Sequence, residues 1–183
     1  MADSTFERAM KLAVVTGLRS MLGPALVAEA ANRPERKNLA LAALAEMVAD
    51  KLPLVPSRDR LLPLLIRGLA GAWAARTIQE EEGGEAPPDP WIAPLGAAVA
   101  MGVAVAAPKL RKTLTATTGI ADPVLGLIED YLALRLGGDA VGLSMADLTD
   151  VARGAIDDLK GRVEPVFQEI GGAMHQSVGA GSM

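Results

Sequence analysis

Several charged residues lie within or beside long apolar stretches of the sequence. They are Arg19, Glu46, Asp50, Lys51, Arg67, Glu129 and Asp130. A charged side chain near the centre of a bilayer costs at least about 2.5–3.5 kcal/mol, so such residues usually face the interior of a helical bundle and pair with one another. Glu46 and Asp50 are four positions apart and would share one face of a helix. We expect this acidic face to hold Arg19 or Arg67, each of which stands in the middle of an apolar segment.

Two uses of these charges are open. We expect internal ion pairs that fix the packing of the helices, which would give the protein a structural or assembly role. The alternative is a polar pathway or pocket, through which a small transporter or channel would move an ion, a proton or a small solute. A third interpretation is that some of these side chains reach outward to the membrane surface.

The residue types used in most catalytic chemistry are missing from the apolar segments. The chain has no cysteine, and its single histidine, His175, stands near the C-terminus. Thiolate chemistry and a serine–histidine pair within the bundle are therefore excluded. The glycine-containing sequences from Gly17 (GLRS) and Gly68 (GLAG) follow no strand and lack the lysine of a phosphate-binding loop. No acidic loop of the calcium-binding type occurs, and we expect no enzymatic activity, no cofactor and no metal site.

Residues 91–107 form the clearest candidate for a membrane helix. They carry no charge over a length close to the roughly 17–25 residues that cross a hydrocarbon core. Trp91 begins the segment where an interfacial aromatic residue belongs, and basic residues at 109, 111 and 112 close it. Three small residues recur at four-residue spacing, a pattern typical of packed membrane helices: Gly96, Ala100 and Ala104.

Four other apolar segments flank this one. Residues 10–31 are interrupted by Gly17, Arg19, Gly23 and Pro24; the segment from Leu39 is short; residues 61–78 contain a central arginine; and the segment from Pro123 is short and charged. Residues 79–90 are expected to be a linker because they combine glycine, proline and acidic residues. The sequence therefore predicts an all-α fold for residues 1–143, a compact bundle of four to five membrane-embedded helices, some of them short or broken. A soluble, alanine-rich bundle is the alternative.

Residues 144–183 differ in texture and are expected to form an acidic amphipathic helix and a flexible tail. Apolar residues recur from Leu148 to Val163 at helical spacing, and Ser144 with Asp147 resembles a capping box. Pro165 predicts an end or a kink. An acidic helix is a poor match for anionic lipid. We expect it to dock onto another helix, through which the protein contacts a partner membrane protein or forms a homo-oligomer.

Composition and charge narrow the partners and predict a topology. Half of the residues are hydrophobic but only 3% are aromatic, and such small residues suit close helix contacts in lipid. The net charge of −4 argues against binding to nucleic acid. The lipid bilayer is the expected surrounding.

The N-terminus lacks the pattern of a cleavable signal, so we expect the first helix to be retained. The bias of basic loops toward the cytoplasm predicts that residues 33–37 and 109–112 share one side and that residues 80–85 lie opposite.

Four short stretches together resemble a known family. They are GLRSMLGPA from Gly17, EMVADKLPLVPSR from Glu46, RGLAGAWAA from Arg67 and IEDYLALRLG from Ile128. They are similar to the bacterial membrane family called domain of unknown function 4126, over residues 11–138. The resemblance implies a compact helical membrane protein, in a bacterial inner membrane, and implies no reaction. The helix from Ser144 is an extension to that core.

Overall fold

A computed structural model describes residues 4–49, 61–82 and 89–179. These residues form seven helices and no strand, which confirms the all-helical prediction. The helices are α1 (Thr5–Leu18), α2 (Leu22–Ala30), α3 (Arg36–Ala49), α4 (Leu61–Glu82), α5 (Ile92–Thr118), α6 (Asp122–Val141) and α7 (Met145–Gly179). Two of them, α4 and α5, are long and apolar enough to cross a membrane.

The first apolar segment is a hairpin of two helices. The chain breaks at residues 19–21, hereafter the hairpin tip, between α1 and α2. α2 then folds back onto α1. The two helices approach so closely that a Cβ at Gly23 would collide with Thr16 and lie 3.0 Å from the Leu12 carbonyl oxygen. Gly23 of α2 therefore packs directly against the Thr16 hydroxyl of α1. The predicted interruption of this segment is confirmed, and Gly23 permits the close approach of the two helices.

Both ends of this hairpin lie at the same end of the bundle. Arg8, near the start of α1, forms an ion pair with Glu82, and Arg33, after α2, forms one of 3.0 Å with Glu81. Glu81 and Glu82 are the last residues of α4. With 14 residues, α1 is about 21 Å long, so the hairpin enters the bundle and returns without reaching its other end.

This return makes the predicted topology wrong. Residues 33–37 were expected opposite the acidic linker, but the contact of Arg33 with Glu81 places the two at one end; Glu85 lies outside the described residues. The basic residues at 109–112 are not a loop but part of α5. They lie toward the other end, because α5 runs antiparallel to α4, with Gly96 against Gly71 and Met101 against Gly68. The linker also begins later than expected, since α4 continues to Glu82.

The face of α5 that contacts α4 and α1 is built from small residues. Gly96, Ala100 and Ala104 are buried, as their four-residue spacing predicts. The carbonyl oxygen of Ala100 and the side chain of Val103 lie against Gly17 at the end of α1. The aliphatic core continues through α1, α2 and α6, with Leu12, Val15, Val27 and Ala133 fully buried.

Helix α7 docks onto α3. Its N-terminus is closed by the predicted capping box, in which Asp147 accepts hydrogen bonds from the Ser144 backbone N–H and hydroxyl at 2.8 and 2.7 Å. These bonds lower the pKa of Asp147. Their contribution to the stability of the folded protein is therefore fully present at a pH above the ordinary pKa of an aspartate, and it is lost as the pH falls through the lowered pKa. Lys37 on α3 pairs with Asp158 at 3.2 Å. The helix continues past Pro165, where the sequence predicted an end or a kink.

The close contact between α4 and α5 gives a first prediction. A methyl group at Gly71 would lie 2.5 Å from Ala100 Cβ and 2.8 Å from the Gly96 carbonyl oxygen, whereas one at Gly102 meets nothing within 4 Å. Gly71→Ala should destabilise the solubilised protein by about 1–3 kcal/mol through overpacking. Gly102→Ala, the matched control, should be neutral or stabilise by about 0.5–1 kcal/mol. Thermal unfolding measures both, and equal effects at the two glycines would contradict this packing.

Candidate functional site

The hairpin tip is the point at which five parts of the chain bring charges together. Glu46 comes from α3, Arg67 from α4, Arg111 from α5, and Glu129 and Asp130 from α6. Together with Arg19 of the tip, these residues are called the charge cluster below. Arg19, Arg67 and Asp130 are only 1%, 5% and 7% exposed. The cluster is therefore inside the bundle rather than on its surface.

Arg19 is held by the acidic pair of α6. Its Nε donates to Asp130 Oδ1 at 2.6 Å, and its Nη1 donates to Glu129 Oε1 at 3.3 Å. Nη1 also donates to the carbonyl oxygen of Leu18 at 3.0 Å, one of the acceptors left unpaired where a helix ends. One guanidinium thus contacts both carboxylates of α6 and caps the C-terminal end of α1.

Glu46 binds the other side of the tip through the backbone. Its Oε1 accepts from the Ser20 N–H at 2.9 Å and from the Ser20 hydroxyl at 2.7 Å, and its Oε2 accepts from the Met21 N–H at 2.9 Å. These N–H groups stand at the N-terminus of α2, where helix donors lack intrahelical partners and the helix dipole favours a negative charge. Arg67 Nη2 donates to the same carboxylate at 3.2 Å, so the cap is itself neutralised.

Arg111 also belongs to the cluster. It is one of the basic residues at 109–112, which were assigned to a loop from the sequence. It pairs with Asp122 at 2.8 Å and with Glu129 at 3.6 Å. The sequence signal for it was Gly119, a residue type that commonly ends helices, followed by Pro123, which suits the first turn of the next helix. In the structure α5 ends at Gly119, in the left-handed conformation, and α6 begins at Asp122. A tight turn places the last residues of one helix beside the first residues of the next. Ser20 was also missed, although it lies inside the quoted GLRS stretch.

Five of the seven residues singled out in the sequence meet in the charge cluster. Glu46 does hold one of the two arginines, namely Arg67, while Arg19 pairs across the tip with α6 instead. Asp50 and Lys51 lie outside the described residues. The cluster contains three arginines and three carboxylates, so its formal charges balance. Among the described residues, no group of three or more His, Asp or Glu side chains is placed to hold a metal ion.

Residues 14–143 match the family described as domain of unknown function (DUF4126). The chain belongs to this family. The matched region begins within α1 and ends at Leu143, so the whole charge cluster lies inside the family domain and α7 begins after it. No curated protein and no solved structure matches the chain. The family thus supplies a boundary for the domain, and the chemistry of the tip has to be argued from its contacts.

The contacts at the tip of this DUF4126 domain predict strong coupling between Arg19 and Asp130. Removal of one partner of a buried pair leaves an uncompensated charge and costs about 3–5 kcal/mol, while removal of both is close to neutral. Arg19→Leu and Asp130→Leu should each destabilise the detergent-solubilised protein, and the double variant should regain much of the loss, because Glu129 keeps its contact with Arg111.

The exposed pair of Arg76 and Glu80 on α4, at 2.7 Å, provides the matched control. Its single and double substitutions should each change stability by no more than about 0.5 kcal/mol. Thermal unfolding of all six variants gives the two coupling energies. Small and additive effects at Arg19 and Asp130 would show that water already solvates these charges, contrary to the contacts described above.

Proposed function

We propose that the protein is an integral membrane protein, with α4 and α5 as its full spans. The observation that carries this proposal is the exposure of apolar helices: only 39% of the apolar window of α4 and 22% of that of α5 are buried inside the protein. The core helix of a soluble protein would be mostly covered. Large exposed apolar patches mark surfaces that contact lipid or another protein, and lipid is the partner that would cover two such helices along their length.

The exposed apolar residues extend onto α6 and form one type of surface across three helices. They are Leu61, Leu62, Leu65, Ile66, Leu69 and Trp73 on α4, Leu95, Leu110 and Leu114 on α5, and Val124, Leu127, Ile128, Tyr131 and Leu132 on α6. This surface supports a membrane-embedded bundle, in which the α1–α2 hairpin enters from one side and returns and α3 enters from that same side. With the hairpin counted as one segment, α3, α4, α5 and α6 complete the bundle of four to five embedded segments that we propose. A bacterial inner membrane is the location we propose.

For the charge cluster we propose a structural role. Irregular backbone at membrane depth is tolerated only where its polar groups are satisfied within the protein or by water in a cavity. Here Glu46 accepts from the backbone N–H groups of Ser20 and Met21, and Arg67 neutralises it. Every charge of the cluster has a protein partner. This supports a lock that holds the hairpin at a fixed depth, as in an assembly or scaffold component.

Transport of an ion or small solute is the second candidate, favoured by the break itself. Discontinuous helices that end near the middle of the bilayer form the binding sites of many transporters. In this chain α1 ends and α2 begins at the tip, so the tip is a break of this kind inside the bundle. This function needs a water-accessible route to the cluster and an exchange of its internal ion pairs. Neither candidate includes a reaction, and the absence of enzymatic activity stays a prediction.

A contact with a further protein is also proposed, through α7. Its residues Leu148 and Ala155 are buried within the chain, but Ile156 and Leu159 are 40% and 44% exposed. An exposed pair of aliphatic residues on an otherwise acidic helix is suited to a partner helix or a second copy.

The membrane proposal is tested by extraction and by labelling. The protein should remain in the membrane fraction at alkaline pH in carbonate, since α4 and α5 would hold it in the bilayer. Because the chain has no cysteine, single cysteines can be labelled from one side. Pro34→Cys and Glu80→Cys should label from the same side and Ala121→Cys from the other. Release by carbonate would contradict membrane integration. Labelling of positions 34 and 80 from opposite sides would contradict the returning hairpin.

A further inference from the structure

An apolar groove lies on the side of the hairpin away from α4. Its cavity of about 220 Å³ is bounded by α2, α3, α6 and α7, and its walls include Leu22, Leu26, Ala43, Met47, Leu134 and Leu148. An apolar cavity of about 150 Å³ stays dry and takes up a small apolar molecule, so this larger one favours an apolar occupant. Met47 of α3 and Met145 of α7 also line the groove, and methionine side chains are flexible enough to adapt to ligands of irregular shape.

A second cavity, of about 410 Å³, adjoins the apolar groove and has the opposite character. The two share Glu29, Leu143 and Val151 in their walls. The second cavity, hereafter the polar cleft, is lined by charges of both signs: Arg36 and Lys37 from α3, and Asp147 and Asp150 from α7. Arg36 forms an ion pair with Glu29 at 3.8 Å, a separation longer than a hydrogen bond. Lys37 pairs with Asp158 at 3.2 Å, and Asp150 with Arg153 at 3.5 Å. The combined space is therefore amphiphilic, with one apolar and one charged compartment.

The two compartments are arranged along the helices rather than side by side. Arg36 begins α3 at the end of the bundle, and Met47 lies next to Glu46 at the depth of the hairpin tip. The 11 steps between them correspond to about 16 Å of helix. The polar cleft thus lies at the end of the bundle and the apolar groove leads inward, as head and tail do in one leaflet of a bilayer.

We propose that the groove and cleft together bind a single-chain amphiphile with a zwitterionic head, the acyl chain in the groove and a phosphate and an ammonium in the cleft. The phosphate is bound by Arg36 and by Lys37, which exchanges Asp158 for it. The ammonium is bound by Asp150, which exchanges Arg153 for it, and by Oδ1 of Asp147, since Oδ2 of that residue caps Ser144. The charged residues of the cleft decide against a partner helix with one continuous apolar face, because the apolar walls give way to Arg36, Lys37, Asp147 and Asp150. The proposal rests on the proposed membrane location only for its supply of lipid.

Binding is tested on the full-length protein in detergent by native mass spectrometry. The probes are lysophosphatidylethanolamine and lysophosphatidic acid with the same acyl chain, so that only the ammonium differs. The native protein should bind the first at least tenfold more tightly. Asp150→Asn should reduce this preference, and Arg36→Gln should weaken both lipids.

Two variants fill the groove and one controls for the added bulk. Ala152→Leu on α7 and Ala40→Leu on α3 project into the groove and should reduce binding at least tenfold while the melting temperature holds or rises. Ala98→Leu adds the same bulk to an exposed position of α5 and should bind as the native protein does. Equal binding by native protein and both groove variants, or equal binding of the two lipids, would overturn the proposal.

Two further outcomes would also overturn it. A shift in oligomeric mass on Ala152→Leu without loss of lipid would identify a second copy of the chain as the occupant. Retention of an unrelated polypeptide in the groove, lost in the same variant, would identify a protein partner. Carbonate extraction is measured separately, so a membrane protein without this site and a lipid-binding protein outside the membrane give different results.

Discussion

The bond between the Glu46 carboxylate and the backbone of the hairpin tip is the interaction on which the rest of the structure depends. A chain that turns back inside a bundle leaves N–H groups without helical partners, and such groups cost several kcal/mol each in an apolar surrounding. Glu46 accepts from two of them, but it brings a charge that must be neutralised in turn. Arg67 on α4 neutralises the Glu46 carboxylate. The positions of α3 and α4 relative to the tip thus follow from the need to give its backbone N–H groups hydrogen-bond acceptors.

The second half of the cluster extends the same logic to α6. Arg19 lies one residue before the N–H groups that Glu46 binds, and it is 111 positions from Asp130. Its guanidinium donates a hydrogen bond to the Leu18 carbonyl oxygen at the end of α1, and it also pairs with two carboxylates. Arg111 then balances Glu129. The hairpin tip is thereby tied to α3, α4, α5 and α6, and a shift of any one of these helices would leave a buried charge or a backbone group without its partner.

Local features of this arrangement were predictable from the sequence, and its pairings were not. The break at Arg19, the small-residue face of α5 and the Ser144 cap each depend on residues within one turn or one helix. The partner of Arg19 depends instead on the direction of α2, and an apolar run of residues 10–31 is compatible with both a crossing helix and a returning one. Because the crossing interpretation was applied to the loop charges, Arg33 was placed opposite the acidic end of α4. Arg111 was assigned to a loop because the uncharged run ends at residue 107, whereas α5 continues to Thr118.

The shortness of the hairpin also explains why the bundle has two unlike sides. Against α5 the contact is close, because Gly17 lies on the Ala100 carbonyl oxygen and the Val103 side chain, and a Cβ at Gly17 would be 2.6 Å from each. On the other side α2 has only nine residues, and α7, which lies outside the family domain, covers what α2 and α3 leave open. An acidic helix closes an aliphatic surface incompletely, because its charged residues have to stay in water. Leu148 and Ala155 are buried, while Met145, Val151 and Ala152 line the groove and stay partly exposed. The same hairpin that requires a close, charge-balanced contact on one side therefore leaves an amphiphilic groove on the other.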